Sequence, residues 1–360
     1  MSLIQEWNAM RKGMAGGEYP EFVTGREVGD ELPVFAYHRA RPHVFRSHLE
    51  HIRRNGYATL DCSDLLSILD EGRAFSGKEI LLTFDDGLYD LYTVVFPLLK
   101  MHRMKAIACI APFWIGTEGL ITWEQAREMH AAGLVDFQSH GFTHRRIPVS
   151  PEIVGFHHPK MRLDRRWQLP LGDGVSPTDG NPLWGLPIFR SRSRLSDAFQ
   201  YLGAAEPTRS CLQQVERTGK DRFFRNPGWR ETLGRLIDDH QASRSRENRY
   251  ETADQHDRSV VEEVRQSKES IEKQLPGKKV FGFSYPFNER GETVERILRE
   301  QDFRLVFGGI GMKRGWSGPM AFFRRTSGDF VMRLPGRGRK MLARIVLEKA
   351  ARRLVAGPGY

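Results

Sequence analysis

Runs of apolar residues alternate along much of the chain with segments in which apolar residues recur at helical spacing. The runs at 80–84 and 106–110 are rich in β-branched and other apolar residues, which predicts strands buried on both faces of a parallel sheet. The segment 45–56 instead places apolar residues three or four apart and ends at Gly56, which predicts a helix. The alternation of the two patterns predicts an α/β fold.

About seven predicted strands alternate with helices and show no repeat, which favours a closed or nearly closed β/α barrel. An open doubly wound sheet is the alternative. The alternation is interrupted between about 148 and 257, a region rich in proline, arginine and glycine. Its aromatic residues are too numerous for a disordered segment, so we predict an ordered insertion. Within it we predict one helix near 229–240 and a solvated loop or linker over 244–257.

The pattern therefore divides the chain into a barrel in two parts, an insertion and two terminal segments. The predicted parts are an N-terminal extension (1–30), the first part of the barrel (31–147), the insertion (148–257), the second part of the barrel (258–330) and a basic C-terminal helix or tail (331–360). Because the insertion follows a strand, we expect it to lie over the mouth of the barrel and to shape substrate choice.

One helix start is predicted in detail. Thr122 precedes the helical segment Trp123-Glu-Gln125 and has the side chain of an N-cap. Gln125 stands at the position that completes a capping box, and Gly133 ends the segment. We therefore expect this helix to begin directly after Thr122.

Two adjacent carboxylates end the predicted strand at 80–84. Asp85 and Asp86 follow it directly, and Gly87 provides the turn that leaves the strand. Carboxylates at the end of an apolar strand are costly unless a cation, a partner or solvent compensates them. A metal ion is one candidate, and an ordinary Asp-Asp-Gly turn is the alternative.

A second candidate motif follows the strand predicted at 134–139. His140 and His144 are four residues apart, so one turn of helix would place both imidazoles on the same face. Catalytic zinc takes three protein ligands and water, and one of the two aspartates with both histidines would supply three. Histidines at this spacing also cap and pack helices. Both motifs end strands, however, and parallel barrels bring such ends to one face.

The two motifs resemble a known family. Thr83-Phe-Asp-Asp-Gly87 and His140-Gly-Phe-Thr-His144 are similar to motifs one and two of the polysaccharide deacetylase family, whose domain is the NodB-homology type (carbohydrate esterase family 4). The segments 33–38, 45–56 and 283–287 also resemble parts of its members. The resemblance implies a distorted (β/α)7 barrel, here with the insertion after the metal-histidine loop, and a hydrolase that depends on a divalent metal, with zinc favoured.

If the roles of the family's motif residues are carried over, the resemblance implies that Asp85 is the general base and that Asp86, His140 and His144 are the metal ligands. Members similar to poly-N-acetylglucosamine deacetylases use a histidine near the first strand, and His38 fits that place as a second catalytic residue. A hydrogen-bonded strand-end histidine is the alternative for His38.

The chain departs from the family pattern in two places. Ser284 and Tyr285 precede Pro286, where the third motif commonly carries an arginine, and no histidine follows His256, so the fifth motif is missing. Arg324 or Arg325 could replace the arginine, and a simple salt bridge is the other interpretation.

Four residues are candidate contacts for substrate. We expect Arg324 and Pro286 near the substrate, a backbone N–H near Tyr285 to share the oxyanion, and Trp114 to stack on a sugar ring. For most of the insertion's aromatic residues we favour a small core of their own.

The net charge of +10 raises the question of nucleic acid as a partner. Much of the excess lies in the C-terminal segment, so we expect no nucleic-acid binding. A basic amphipathic helix there could contact a membrane surface, and a helix that docks on the domain is the favoured alternative. No secretory signal or membrane-spanning run is present and the three cysteines are widely spaced, which predicts a cytoplasmic protein. A peripheral contact with the inner membrane face is compatible with this location.

These observations predict a hydrolase that removes N-acetyl groups from a sugar or a polysaccharide precursor, in surface polysaccharide synthesis. One alternative keeps the metal and cleaves another C–N bond, in a formamide or a cyclic amide. The other is a degenerate family member that binds glycan.

Overall fold

The computed structural model describes residues 3–161, 183–242, 250–312 and 315–356. They fall into two compact units. The first lies within 1–142, 264–288 and 298–360, and the second within 143–263 and 289–297.

Twelve strands are present among the described residues. They are β1 (Val34–Tyr37), β2 (Ala58–Thr59), β3 (Glu79–Asp86), β4 (Ala106–Ile110), β5 (Val135–Ser139), β6 (Arg146–Phe156), β7 (Pro187–Ser193), β8 (Gly282–Ser284), β9 (Leu305–Gly308), β10 (Gly315–Ser317), β11 (Met320–Arg324) and β12 (Thr326–Ser327).

The same part of the chain holds eleven α-helices. They are α1 (Leu3–Ala15), α2 (Glu21–Thr24), α3 (Pro42–Arg54), α4 (Cys62–Asp70), α5 (Phe96–His102), α6 (Trp123–Ala131), α7 (Ala205–Arg217), α8 (Trp229–Ala242), α9 (Ala253–Gln274), α10 (Glu292–Glu300) and α11 (Leu342–Ala356). A π-helical turn, Leu91–Val95, leads into α5.

The first unit contains the main sheet, in the order β10-β11-β9-β8-β5-β4-β3-β1-β12, with β2 also paired to β3. Among its described strands, β10 and β11 pair antiparallel and the other pairs are parallel. The predicted α/β class with a mostly parallel sheet is confirmed. The strands β11 and β12 are separated by Arg325 alone, yet they pair with β9 and with β1 respectively. Two strands that are consecutive in the chain therefore lie near opposite ends of the strand order.

The apolar runs form the core of the first unit. All residues of β3 and of β4 are buried, as the near-continuous apolar pattern predicts for central parallel strands. Leu65 and Ile68 of α4 pack with Leu81 and Ile107 of these strands. Burial of each such side chain contributes about 1.5–3 kcal/mol, and this core holds the strand ends in place.

The predicted capping box at the start of α6 is confirmed. The Thr122 hydroxyl accepts from the backbone N–H of Gln125, and the Gln125 side chain accepts from the backbone N–H of Thr122. We expect Thr122→Ala to lower the free energy of unfolding by about 1 kcal/mol, because one N–H of the first turn loses its acceptor. Denaturant titration of the purified protein measures this loss. Thr122→Ser keeps the acceptor and serves as the control, so an equal loss in both variants would contradict the capping role.

The second unit is built on the antiparallel pair of β6 and β7, with α7 and α8. Its described aromatic and apolar side chains form a core that includes Phe189, Phe223, Trp229 and Leu233, and a smaller cluster around Leu183 and Leu186. The predicted helix near 229–240 is confirmed as α8, whereas the hairpin and α7 were not predicted. The loop predicted over 244–257 is wrong from residue 253 onward, where α9 begins, and residues 162–182 and 243–249 of the predicted insertion lie outside the described residues.

Within the second unit, a buried ion pair joins the residue that follows β7 to a residue shortly before α9. Arg194 and Glu251 are almost fully buried and joined by two hydrogen bonds of 2.7 and 2.8 Å. A paired geometry of this kind satisfies both charges and limits the cost of removing them from water.

The C-terminal segment forms α11, which docks on the first unit. Ile345 and Ala350 are buried, and Arg352 pairs with Asp329. Docking, the favoured alternative for this helix, is therefore observed. Among the residues that the structure describes, no helix is both long and apolar enough to cross a membrane.

Candidate metal and catalytic site

The register of three parallel strands brings the two sequence motifs to the same edge of the sheet. Asp86, the last residue of β3, pairs with Ile110 of β4, and Ile110 pairs with Ser139, the last residue of β5. The next residue, His140, donates its backbone N–H to the carbonyl of Ile110 at 2.9 Å. The strands β3 and β5 lie on either side of β4, so the backbones of Asp86 and His140 are about 10 Å apart and their side chains bridge the gap.

Asp86, His140 and His144 form a candidate metal-binding cluster. All three are buried, and one ligand atom from each lies within 4.8 Å of the others. His140 Nε2 and Asp86 Oδ1 lie 3.7 Å apart. This separation suits two ligands that face one shared cation.

The orientation of His140 fits the role of a metal ligand. Its Nδ1 lies 2.8 Å from the carbonyl oxygen of Ser284, which can only accept, so Nδ1 carries the proton. Nε2 then presents its lone pair toward the carboxylates of Asp85 and Asp86. Metal-bound histidines are held by the same kind of outer hydrogen bond.

The backbone at the cluster adopts an unusual conformation. Asp86 has φ of 73° and His144 has φ of 50°, both in the left-handed region that most residues avoid. Such conformations cost about 1–3 kcal/mol each and persist where surrounding contacts impose them. Gly87 follows with φ of 78°, and a Cβ there would lie only 3.0 Å from Ile115, so glycine is required at this turn.

The donor set fits a divalent cation. One carboxylate and two imidazoles are the protein ligands found at catalytic zinc sites, where a further position stays open to water or substrate. The burial of all three groups adds to the fit, because a buried carboxylate needs a nearby positive charge.

Asp85 is held by Arg325 rather than by the third motif. The guanidinium forms two hydrogen bonds with the carboxylate, from Nη1 to Oδ1 at 2.7 Å and from Nη2 to Oδ2 at 2.9 Å, with both side chains buried. The hydroxyl of Ser284 lies 3.4 Å from Oδ1. Burial alone would raise the pKa of Asp85, but the charge of Arg325 outweighs it and holds that pKa well below its usual value.

His38 lies beside the same carboxylate. It follows β1, which pairs with β3, and its Nε2 is 3.9 Å from Asp85 Oδ2. Its side chain is 51% exposed, unlike the buried Asp85. His38 is therefore the solvent-facing neighbour of the buried Asp85 carboxylate.

None of the four predicted substrate contacts has the surroundings that we expected, and their role in substrate binding stays a prediction. The backbone N–H of Tyr285 donates to the carbonyl of Phe307 at 3.2 Å, so that amide is already used between β8 and β9. Trp114 is 6% exposed, which leaves little ring surface for a sugar, whereas its neighbour Phe113 is 42% exposed. Pro286 is buried after β8.

Arg324 is the clearest departure. Its guanidinium donates to Glu31 and to the carbonyls of Gly17 and Glu18, and the partner of Asp85 is the next residue, Arg325. Consecutive strand residues point to opposite faces, so only one of the two arginines can reach Asp85. Sequence reasoning could not choose between them, because β11 is buried along both faces and shows no alternation.

Comparison with known proteins identifies the matched segment. Residues 72–164, which contain both motifs, match the family model described as polysaccharide deacetylase. The resemblance to the polysaccharide deacetylase family is confirmed. The YxkH protein of Bacillus subtilis (strain 168) is 33% identical over 125 residues, which cover 32% of this chain and 44% of that protein. The poly-β-1,6-N-acetyl-D-glucosamine N-deacetylase of Escherichia coli (strain K12) is 27% identical over 133 residues, covering 33% of this chain and 20% of the relative.

The chain thus matches less than half of the length of either curated relative. Solved structures extend the similarity of fold. A de-N-acetylase from Aggregatibacter actinomycetemcomitans superposes with a TM-score of 0.54 at 17% identity, over 82% of this chain and 94% of that chain. The BpsB deacetylase domain from Bordetella bronchiseptica gives a TM-score of 0.53 at 18% identity, over 84% and 97%. At such identities the comparisons show a shared polysaccharide deacetylase fold.

Proposed function

We propose that this protein is a metal-dependent N-deacetylase that removes acetyl groups from the amino sugars of a surface polysaccharide or its precursor. The observation that carries the proposal is the buried cluster of Asp86, His140 and His144 with the carboxylate of Asp85 beside it. Amide hydrolysis needs an activated water, a base and a stabilised oxyanion, and this group of residues can supply the first two.

We propose Asp86, His140 and His144 as the ligands of a divalent ion, with zinc favoured by the nitrogen and oxygen donors. When bound, such an ion supplies Lewis-acid polarisation of the acetamide carbonyl and lowers the pKa of water. The hydrogen bond from His140 to Ser284 fixes the imidazole that contributes to this set.

Asp85 is proposed as the general base. Arg325 keeps the carboxylate ionised and fixes both of its oxygens, so it can take a proton from the attacking water without rotating away. The charge-assisted pair also means that Asp85 is a weak base in the absence of substrate. Proton transfer then relies on the acidity of the attacking water rather than on a raised pKa of the carboxylate.

His38 is proposed to protonate the departing amine. Its half-exposed side chain and the distance of 3.9 Å from its Nε2 to Asp85 Oδ2 support a role for this imidazole at the same reacting group. An imidazole changes charge near neutral pH and can both accept and return a proton. Hydrolysis then balances as one amide and one water giving acetate and the amine.

The relatives support the proposed substrate class. The named activity of the Escherichia coli relative is N-deacetylation of poly-β-1,6-N-acetyl-D-glucosamine, which supports an N-acetylglucosamine polymer or its precursor here. Tyr285, Pro286 and Trp114 are buried and would act by shaping the site rather than by direct stacking. A cytoplasmic location and a peripheral membrane contact through Met341 and Leu347, which are exposed on the basic segment, remain predictions.

Metal content and acetate release test the proposal together. We expect about one zinc or similar ion per wild-type chain by mass spectrometry, as a three-ligand site requires. We also expect acetate release from β-1,6-linked N-acetylglucosamine oligomers. The double variant His140→Ala/His144→Ala should lose the metal and reduce acetate release to background.

The possible results separate the alternatives. Metal without acetate release, but with hydrolysis of a formamide or a cyclic amide, would support a different C–N hydrolase. A wild type that takes up no metal even after reconstitution would rule out the hydrolase mechanism and leave glycan binding.

A further inference from the structure

Helix α9 presents two side chains to the segment that carries both histidines. Glu263 and Ser267 are four residues apart, so they lie on one face of the helix. Both are buried. Each makes hydrogen bonds to residues directly next to a proposed metal ligand.

Ser267 holds the residues on either side of His140. Its hydroxyl lies 2.7 Å from the hydroxyl of Ser139 and donates to the carbonyl of Gly141 at 3.1 Å. The backbone N–H of Gly141 donates in turn to the Ser139 hydroxyl at 3.2 Å. Each hydroxyl has one proton and Ser267 donates its own to Gly141, so the Ser139 hydroxyl must donate to Ser267. Three hydrogen bonds thus link the two hydroxyls with the N–H and the carbonyl of Gly141, and they form a ring that spans the residues on either side of His140.

Glu263 holds the residues on either side of His144. Its carboxylate accepts from the backbone N–H of Thr143 at 2.9 Å and from the Thr143 hydroxyl. The guanidinium Nε of Arg145 lies 3.7 Å from the same carboxylate. A charged acceptor with two donors from one residue fixes the backbone at Thr143 more firmly than a neutral acceptor would.

This support is needed because His144 is in the left-handed region, with φ of 50°. A non-glycine residue there relaxes toward a more favourable backbone conformation unless its neighbours are restrained. Relaxation would turn the imidazole of His144 away from Asp86 and His140, and a metal site tolerates only small displacements of its ligands.

We propose that Glu263 and Ser267 are positioning residues for the metal site, which set metal affinity by holding the backbone that carries His144 and His140. They need not touch metal or substrate. The inference rests on the proposed metal ligands and adds residues from outside both sequence motifs. Removal of outer hydrogen bonds at metal sites lowers affinity by about 10–100-fold, and we expect a loss in this range.

The test measures zinc affinity of the metal-free full chain by competition with a chromophoric chelator, beside its thermal unfolding. Glu263→Gln keeps the size of the side chain but offers one acceptor and adds a donor facing Thr143. Thr143→Val removes the hydroxyl at nearly constant volume, and Ser267→Ala breaks the ring around His140. Glu269→Gln is the matched control, because Glu269 is on the same helix, is 60% exposed and pairs with Arg265 across the helix surface.

The expected result is a zinc affinity at least about tenfold weaker in Glu263→Gln, Thr143→Val and Ser267→Ala, and unchanged in Glu269→Gln. The double variant Glu263→Gln/Thr143→Val should lose less affinity than the sum of its single losses in free energy, because both changes remove one interaction. Cobalt substitution gives a second readout, since its visible spectrum reports ligand geometry. That spectrum should change in the three variants and not in the control.

Two different failures can be told apart. A wild type that binds zinc, with Glu263→Gln, Thr143→Val and Ser267→Ala all matching it in affinity and spectrum, overturns the positioning role and leaves the proposed function intact. A wild type that binds no zinc overturns both. If Glu263→Gln does not fold, Thr143→Val and Ser267→Ala decide the outcome, because they remove hydroxyls without stranding a charge.

Discussion

Asp85→Asn is expected to lower acetate release by about two to four orders of magnitude while the metal stays bound. Asparagine keeps the shape of the side chain but cannot take a proton from water. Asp86, His140 and His144 are untouched by the change, so the ligand set remains complete. Turnover on an N-acetylglucosamine oligomer and metal per chain, measured on the same preparation, give the two readouts.

The contrast with other variants makes the assignment of Asp85 specific. His140→Ala should lose both metal and activity, since it removes a ligand. Asp70→Asn should change neither, because Asp70 is an exposed partner of Arg304 at the end of α4. Full activity in Asp85→Asn would show that another group is the base. Loss of the metal in Asp85→Asn would show that Asp85 is itself a ligand.

Arg325→Met is expected to lower the free energy of unfolding by about 3–5 kcal/mol, because it leaves the Asp85 carboxylate buried without its partner. Arg325 and Asp85 are 4% and 2% exposed, so water cannot replace the two lost hydrogen bonds. Activity should fall as well, because the base loses the group that orients it. Denaturant titration of the metal-free protein measures the stability, which separates this effect from stabilisation by bound metal.

A double variant identifies the cause of that loss. Asp85→Asn/Arg325→Met removes both charges and should recover part of the stability that Arg325→Met loses. Arg325→Lys keeps the charge but cannot match both carboxylate oxygens, so an intermediate loss is expected. If the double variant were no more stable than Arg325→Met, the loss would reflect packing of the long side chain instead of an unpaired charge.

Local patterns predicted the framework well where a single rule applied. The buried runs that became β3 and β4 and the capping box of Thr122 need only near neighbours in sequence, so they could be recognised without a fold. A second signal of the same kind was missed. Thr252 and Gln255 form another capping box, and it marks the start of α9 inside the segment 244–257 that we predicted as a loop.

Other features went against the local rules. The strand β6 contains Pro148 and Pro151, which are unfavourable in a sheet. Its pairing with β7 shifts register between Pro148 and Ile153 and again between Ile153 and Gly155. An edge pairing with bulges tolerates such residues, but the sequence pattern indicates a loop. The hairpin of the second unit was therefore not predictable from periodicity.

The sequence by itself determined the α/β class, the two motifs at strand ends and the identity of the residues that could bind a metal. These depend on burial pattern and residue type, which can be recognised in short stretches of the chain. Only the tertiary structure decided that Arg325 rather than Arg324 holds Asp85, that the Tyr285 amide is already bonded, and that α9 supports the histidine loop. Each of these contacts joins residues far apart in sequence, and such contacts depend on strand register and side-chain direction, which the fold alone sets.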